Sequence, residues 1–69
     1  MNSTQMSKGT RRRQQILQKL KQQGRITVQE IIETMGCSEA TARRDLDVLE
    51  RQGELVRTIG GPFLKVLLP

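Results

Sequence analysis

The sequence predicts a small α+β domain that is mainly helical, with three helices followed by a two-stranded β-hairpin. Apolar residues recur at helical spacing in three consecutive segments of the 69-residue chain. Each of these three patterns stops at a glycine, the residue that commonly follows the last turn of a helix: Gly24, Gly36 and Gly53. After Gly53 the pattern changes to two short β-type runs that are joined by Gly60-Gly61.

The first helix is expected to begin near Arg11, with Thr10 as its N-cap, and to end before Gly24. Its apolar face consists of Ile16, Leu17 and Leu20. Residues 1–9 are polar and show no periodicity, so we expect them to form a flexible tail. Residues 10–69 are then the folded domain.

The second helix is indicated by a capping box, in which Thr27 precedes Glu30 by three residues. Its apolar face consists of Val28, Ile31, Ile32 and Met35. Gly36 is expected to end this helix. The stretch Arg25–Ile26, just before the capping box, is compatible with a very short strand.

The third helix is expected to begin after the N-cap Ser38 and to run to about Gln52, with Gly53 just beyond its end. Its core-facing residues are Ala42, Leu46 and Leu49. Arg43 and Arg44 project from the opposite side at the helical angle of about 100° per residue. The two arginines are therefore expected to face solvent or a ligand.

The short turn that joins the second and third helices contains Gly36, which is typical of a helix-turn-helix, and the hairpin makes the unit a winged helix-turn-helix. Such a domain places the N-terminal residues of its third helix against base edges in the major groove of DNA. The candidate residues on this helix are Ser38, Glu39, Thr41, Arg43 and Arg44. The candidate phosphate and wing contacts are Arg11, Arg12, Arg13, Arg57, Thr58, Gly60 and Gly61. The alternative is an ordinary helix surface, on which Arg43 and Arg44 pair with Asp47.

The net charge of +5 is concentrated in the first third of the chain. Residues 1–25 contain seven basic residues and no acid, whereas all seven acids follow. Such asymmetry indicates a polyanionic partner, either nucleic acid or an anionic membrane. Phe63 is the only aromatic residue, which argues against RNA-binding modules that stack bases on aromatic side chains.

The composition argues against an enzyme, a resident metal and a cofactor. The chain has one cysteine and no histidine, so the usual zinc ligand sets and nucleophile–base pairs are missing. The N-terminal stretch does not resemble a signal peptide, and no apolar run approaches the roughly 20 residues of a membrane span. We therefore expect a cytoplasmic, nucleoid-associated protein without an enzymatic activity.

The stretch SEATARRDLDVLERQGELVRTIGG, Ser38 to Gly61, resembles the N-terminal DNA-binding domain of the DeoR family of bacterial transcriptional regulators. The run from Thr41 through Leu46 and the glycine pair of the wing stand at the separation typical of that family. The upstream segment is also similar, with its basic start and the Val28-to-Ile31 spacing. The resemblance covers roughly residues 11 to 61.

This resemblance implies a winged helix-turn-helix that binds operator duplex DNA, usually as a repressor of sugar-metabolism genes. It further implies a homodimer in the full-length protein, and a large C-terminal domain that senses a phosphorylated sugar. The chain stops before such a domain, so effector sensing is not carried over. The operator sequence and the sign of regulation are not contained in these residues.

Two other functions remain open at the level of sequence. A winged helix can instead serve as a protein-interaction module, because fold alone does not fix function. The basic first helix can also bind a membrane surface, although its apolar face is narrow. Residues 62–69 are open as well: they form a wing strand packed on the core, an interface with a missing domain, or a non-native terminus.

Overall fold

The computed structural model describes residues 8–60 and 63–69 of the chain. In these residues the chain forms three helices and three strands in a mixed order. The helices are α1 (Lys8–Gln23), α2 (Val28–Met35) and α3 (Glu39–Arg51). The strands are β1 (Arg25–Thr27), β2 (Val56–Gly60) and β3 (Phe63–Leu67). The predicted α+β winged helix-turn-helix is confirmed.

Helix α1 begins at Lys8, which is earlier than the start predicted near Arg11. Thr10 therefore lies inside the helix and is not its N-cap. The buried carboxylate of Asp45 contacts the first turns of α1, where a negative charge favours a helix N-terminus that has no acid of its own. The part of the expected tail that covers residues 1–7 lies outside the described residues.

The predicted caps of α2 and α3 are confirmed. The hydroxyl of Thr27 accepts a hydrogen bond from the backbone N–H of Glu30 at 3.1 Å. Gly36 ends α2 in the left-handed conformation with φ 68°, a region in which glycine carries no side-chain penalty. These two ends fix α2 at eight residues and direct the chain straight into α3.

The sheet is larger than the predicted two-stranded hairpin. Its strand order is β1-β3-β2, and both neighbouring pairs are antiparallel. The short strand expected at Arg25–Ile26 is confirmed as β1, and Ile26 stands opposite Val66 on β3. Strand β1 pairs with the edge of β3 that a two-stranded hairpin would leave unpaired. Gly61 and Pro62, which separate β2 from β3 in the sequence, lie outside the described residues.

One hydrophobic core joins the three helices to the sheet. Its buried members are Ile16, Leu20, Ile26, Val28, Ile31, Ala42, Leu46, Leu49, Leu55 and Val66. Every predicted helix face contributes to it, although Leu17, Ile32 and Met35 are only partly buried. Val66 is fully buried, so the segment after Pro62 contains a wing strand that packs on the core. Within the described residues, none of the helices is long and apolar enough to cross a membrane.

Candidate nucleic-acid interface

Helix α3 presents one face to the core and the opposite face to solvent. Ala42, Leu46 and Leu49 are at most 2% exposed, and they fix the rotation of the helix about its axis. Arg43 and Arg44 lie on the other side and are exposed, as the sequence predicted. The N-terminal half of α3 exposes Glu39, Ala40, Arg43 and Arg44.

The first turn of α3 is capped by hydrogen bonds that involve the hydroxyl groups of Ser38 and Thr41. Ser38 Oγ accepts a hydrogen bond from the backbone N–H of Thr41 at 3.1 Å and donates one to Thr41 Oγ1 at 3.0 Å. The cap thereby occupies the Ser38 side chain. Thr41 is half-buried at the flank of the helix, with its hydroxyl directed back toward the cap.

Arg43 and Arg44, the adjacent arginines of α3, differ in their partners. Arg43 Nε donates to Glu39 Oε2 at 2.9 Å, and both side chains are half or more exposed. Within residues 8–60 and 63–69, Arg44 forms no hydrogen bond and no ion pair. The suggested pairing of either arginine with Asp47 is wrong, because Asp47 binds Arg57 of β2.

Arg12 and Arg13 of α1 converge on Asp45 of α3. Arg12 Nε donates to Asp45 Oδ2, and Arg13 Nη1 donates to Asp45 Oδ1 at 3.1 Å. Asp45 is 1% exposed, whereas the two arginine side chains remain about a quarter exposed. These three residues, termed the arginine–aspartate cluster below, join the start of α1 to the middle of α3.

The electrostatics of this cluster favour the charged state of Arg12. The hydrogen bond to Asp45 raises the pKa of Arg12 above its ordinary value, against a smaller opposing effect of burial. Arg12 therefore stays cationic at every pH at which the protein is handled. Two cations share one carboxylate, so the cluster carries a net positive charge beside α3.

Arg57 on β2 connects the wing, which consists of β2 and β3, to the C-terminal half of α3. Its Nη2 lies 2.5 Å from Asp47 Oδ1 and 2.7 Å from Glu50 Oε1. Its neighbour Thr58 donates to the backbone carbonyl of Lys65 across the hairpin at 3.4 Å. Both residues were predicted as wing contacts to DNA, and in the free protein both have partners within the fold.

The remaining predicted contacts are distributed around this surface. Arg11 is exposed on α1, and Gly60 is exposed at the end of β2. Gly61 lies outside the described residues. Glu39 is exposed in the first turn of α3, beside Arg43. The arginines of α1 that bind Asp45 thus lie beside α3 on one flank.

Sequence reasoning missed Asp45 as the residue that joins α1 to α3, although a signal was present. Asp45 follows Ala42 by three positions and precedes Leu49 by four, so it falls on the buried side of the helix. A buried carboxylate requires a cationic partner or several hydrogen-bond donors. The arginine run at positions 11–13 was the obvious source of that partner.

Among residues 8–60 and 63–69, no three His, Cys, Asp or Glu side chains lie close enough together to hold a metal ion. Cys37 is half-buried and packs against the core.

Comparison with known proteins agrees with this geometry. The family model of the DeoR-like helix-turn-helix domain matches residues 12–64. The lactose phosphotransferase system repressor of Lactococcus lactis subsp. lactis is 55% identical over 54 residues, which is 78% of this chain and 21% of that protein. The HTH-type transcriptional regulator UlaR of Shigella sonnei (strain Ss046) is 42% identical over 50 residues, which is 72% of this chain and 20% of that protein.

A solved structure is similar in fold. The Zalpha domain from Carassius auratus PKZ, crystallised in complex with Z-DNA, superposes with a TM-score of 0.76 at 24% sequence identity. The match covers 90% of this chain and 100% of that one, and at this identity it shows the fold alone. The chain spans about a fifth of the length of the curated relatives it matches. The resemblance predicted from the sequence is thereby confirmed, and the chain belongs to the family of DeoR-like helix-turn-helix domains.

Proposed function

We propose that this chain is the DNA-binding part of a bacterial transcriptional repressor and that it binds operator duplex DNA through α3 and the wing. The main support for this proposal is the exposed N-terminal half of α3. The N-terminal half of α3 is exposed and bears Arg43 and Arg44, while Ala42 and Leu46 anchor its other side in the core. A rigid helix with outward arginines suits insertion into the major groove.

The bases are read by the exposed residues of α3. Arg44 is the primary reader, because its guanidinium has no partner within the described residues and can bond guanine O6 and N7 bidentately. Arg43 is a second reader, steered by Glu39 through its Nε so that both Nη groups stay available. Glu39 itself is able to accept a hydrogen bond from cytosine N4.

The phosphates are contacted on both sides of α3. Arg11, Arg12 and Arg13 serve one strand from α1, and the amides at the start of α3, with the Thr41 hydroxyl, hold a second phosphate. A contact from Ser38 requires its hydroxyl to exchange Thr41 for the phosphate. The wing supplies Arg57, Thr58, Gly60 and Gly61. Because Arg57 is bound to two carboxylates in the free protein, its DNA contact requires an exchange of partner.

The function of the whole protein is inferred from its relatives. A repressor and a transcriptional regulator are among the proteins that match this chain, and each is about five times as long as the matched part. We infer that the complete protein is a cytoplasmic, non-enzymatic regulator that binds a two-fold operator as a homodimer. Its effector is a phosphorylated sugar that binds to a region outside this chain.

The test is selection from a pool of randomised duplexes, followed by fluorescence anisotropy with the enriched duplex at several salt concentrations. We expect enrichment of a defined sequence and an affinity that falls steeply with salt, by about 0.9 logarithmic units per phosphate contact for each tenfold rise in salt. The double variant Arg43→Ala/Arg44→Ala should abolish enrichment. The matched variant Lys19→Ala/Lys21→Ala removes the same charge from the far half of α1 and should retain it.

Two outcomes would contradict the proposal. The first is binding to all duplexes alike, without enrichment, which would reduce the chain to a non-specific polycation. The second is no binding at low salt, which would favour a winged-helix protein-interaction module instead.

A further inference from the structure

Asp45 is the one acidic residue of α3 that is buried, and it is the hub of the arginine–aspartate cluster. Its two carboxylate oxygens are each bound by a different arginine of α1. Replacing a buried pair by apolar residues is often neutral or stabilising, so such a pair is weak evidence of a role in stability. A gain in stability therefore does not by itself explain why this cluster lies between α1 and α3, the proposed DNA-reading helix.

The position of Asp45 on α3 locates the two guanidinium groups relative to the DNA-reading face. Asp45 follows Thr41 by one helical turn, so both lie on the same flank of α3. Thr41 marks the border between the buried and the exposed faces. Arg12 and Arg13, held on Asp45 and still about a quarter exposed, thus lie along the edge where the phosphate strand would run.

The start of α1 is shaped to admit both guanidinium groups. Gly9 has no side chain, and a Cβ built there would lie 3.2 Å from Arg13 Nη1 and 3.7 Å from Arg12 Nη2. Arg13 is further held by a hydrogen bond from its Nη2 to Thr10 Oγ1 at 3.4 Å. The two side chains are thus fixed by α1 from one side and by Asp45 from the other.

We propose that Asp45 is a positioning residue for DNA binding, which holds Arg12 and Arg13 as a pre-oriented pair of phosphate donors in fixed register with α3. This inference rests on the proposed function. A planar guanidinium offers five N–H donors, and the cluster uses one of them on Arg12 and two on Arg13. The free donors of both arginines remain available to phosphate oxygens. The position of the phosphate contacts from α1 is then fixed relative to the base contacts from α3.

The positioning role and a simple charge effect predict opposite results. Asp45 places a negative charge close to a polyanion, so as a bare charge it weakens binding to every duplex. Removing that charge would then strengthen binding without regard to sequence. If Asp45 positions the two arginines, its removal weakens binding to the correct sequence, because the arginines lose their register with α3.

The test uses Asp45→Asn, which keeps the shape of the side chain and removes the charge. Asp47→Asn is the matched control, because it makes the same chemical change on the same helix while Glu50 continues to hold Arg57. Anisotropy is measured with the enriched duplex and with an unselected duplex of equal length. We expect Asp45→Asn to lower affinity for the enriched duplex about tenfold, the size of one lost charge-assisted hydrogen bond. The unselected duplex should be bound equally or more tightly, because both arginine charges remain and one negative charge is removed.

The proposal would be overturned if Asp45→Asn and Asp47→Asn both gained affinity, by the same factor for the enriched and the unselected duplex. Asp45 would then act only as a negative charge. If Asp45→Asn does not fold, Arg12→Lys replaces it, since lysine keeps the charge and loses the planar fork. That variant should lower affinity for the enriched duplex about fivefold, because the oriented hydrogen bonds of the guanidinium are lost, with little change on the unselected one, because the charge is kept. Wild-type affinity in Arg12→Lys overturns the inference. Failure of the wild-type chain to enrich any sequence instead refutes the proposed function itself.

Discussion

The exposed arginine in the second turn of α3 offers the sharpest mutational test of the proposed reading surface. Arg44→Gln removes a guanidinium that has no partner within the described residues, so no other group is left unpaired by the change. The free energy of unfolding should therefore change by no more than about 0.5 kcal/mol. Any larger effect on DNA affinity is then an effect on the complex.

The size of that effect follows from the contact that is lost. A bidentate arginine–guanine pair contributes about 1–3 kcal/mol of discrimination against the wrong base. At about 1.4 kcal/mol per tenfold change, Arg44→Gln should weaken binding to the enriched duplex about 5- to 150-fold. The loss on an unselected duplex should be far smaller, and the preference at one base pair should relax.

Arg51→Gln is the matched control, because Arg51 lies seven residues further along α3. Seven residues complete about two turns, so the two arginines share one face and stand about 10 Å apart. Arg51 is also exposed and carries the same charge. Anisotropy with both duplexes should show a modest loss for Arg51→Gln without a change in base preference. Equal losses for the two variants would refute the assignment of sequence reading to the N-terminal half of α3.

Three further results are expected. Leu46→Ala opens a cavity in the core between α3 and its neighbours and should cost about 2–5 kcal/mol in urea unfolding. Gly36→Ala meets no atom within 4 Å but forces a Cβ into φ 68°, so a loss of about 1–2 kcal/mol is expected, and unchanged stability would show that the turn relaxes. The free energy of unfolding should stay constant between about pH 6 and pH 8, because the chain has no histidine that would titrate there. The pKa of Arg12 is raised, so Arg12 loses its proton, and with it the ion pair to Asp45, only in strongly alkaline solution. A titration midpoint between about pH 6 and pH 8 would contradict this account.

The helices of this domain were largely predictable from sequence because their signals are local. The capping box at Thr27, the glycine at position 36 and the leucine spacing in α3 each act within a few residues. The outward direction of Arg43 and Arg44 follows from the same periodicity. These features fixed the helix-turn-helix and the solvent-facing part of the candidate interface.

The partners of the charged side chains were not predictable in the same way, because they depend on contacts between distant segments. Asp45 binds arginines more than 30 positions away in the sequence, and Arg57 reaches back from β2 to α3. The addition of β1 to the sheet likewise depends on how β3 lies beside the start of α2. The sequence predicted Arg12, Arg13 and Arg57 as residues that contact DNA, but it did not predict the carboxylates that they bind in the free protein.

The most direct test of the central claim is an amide-resolved NMR titration of this chain with the enriched duplex at low and moderate salt. The account predicts chemical-shift changes concentrated from Ser38 to Asp45, at Arg12 and Arg13, and at the wing around Gly60, all weakening as salt rises. Changes confined to residues 1–25 would contradict it, because the basic first third would then bind DNA without α3.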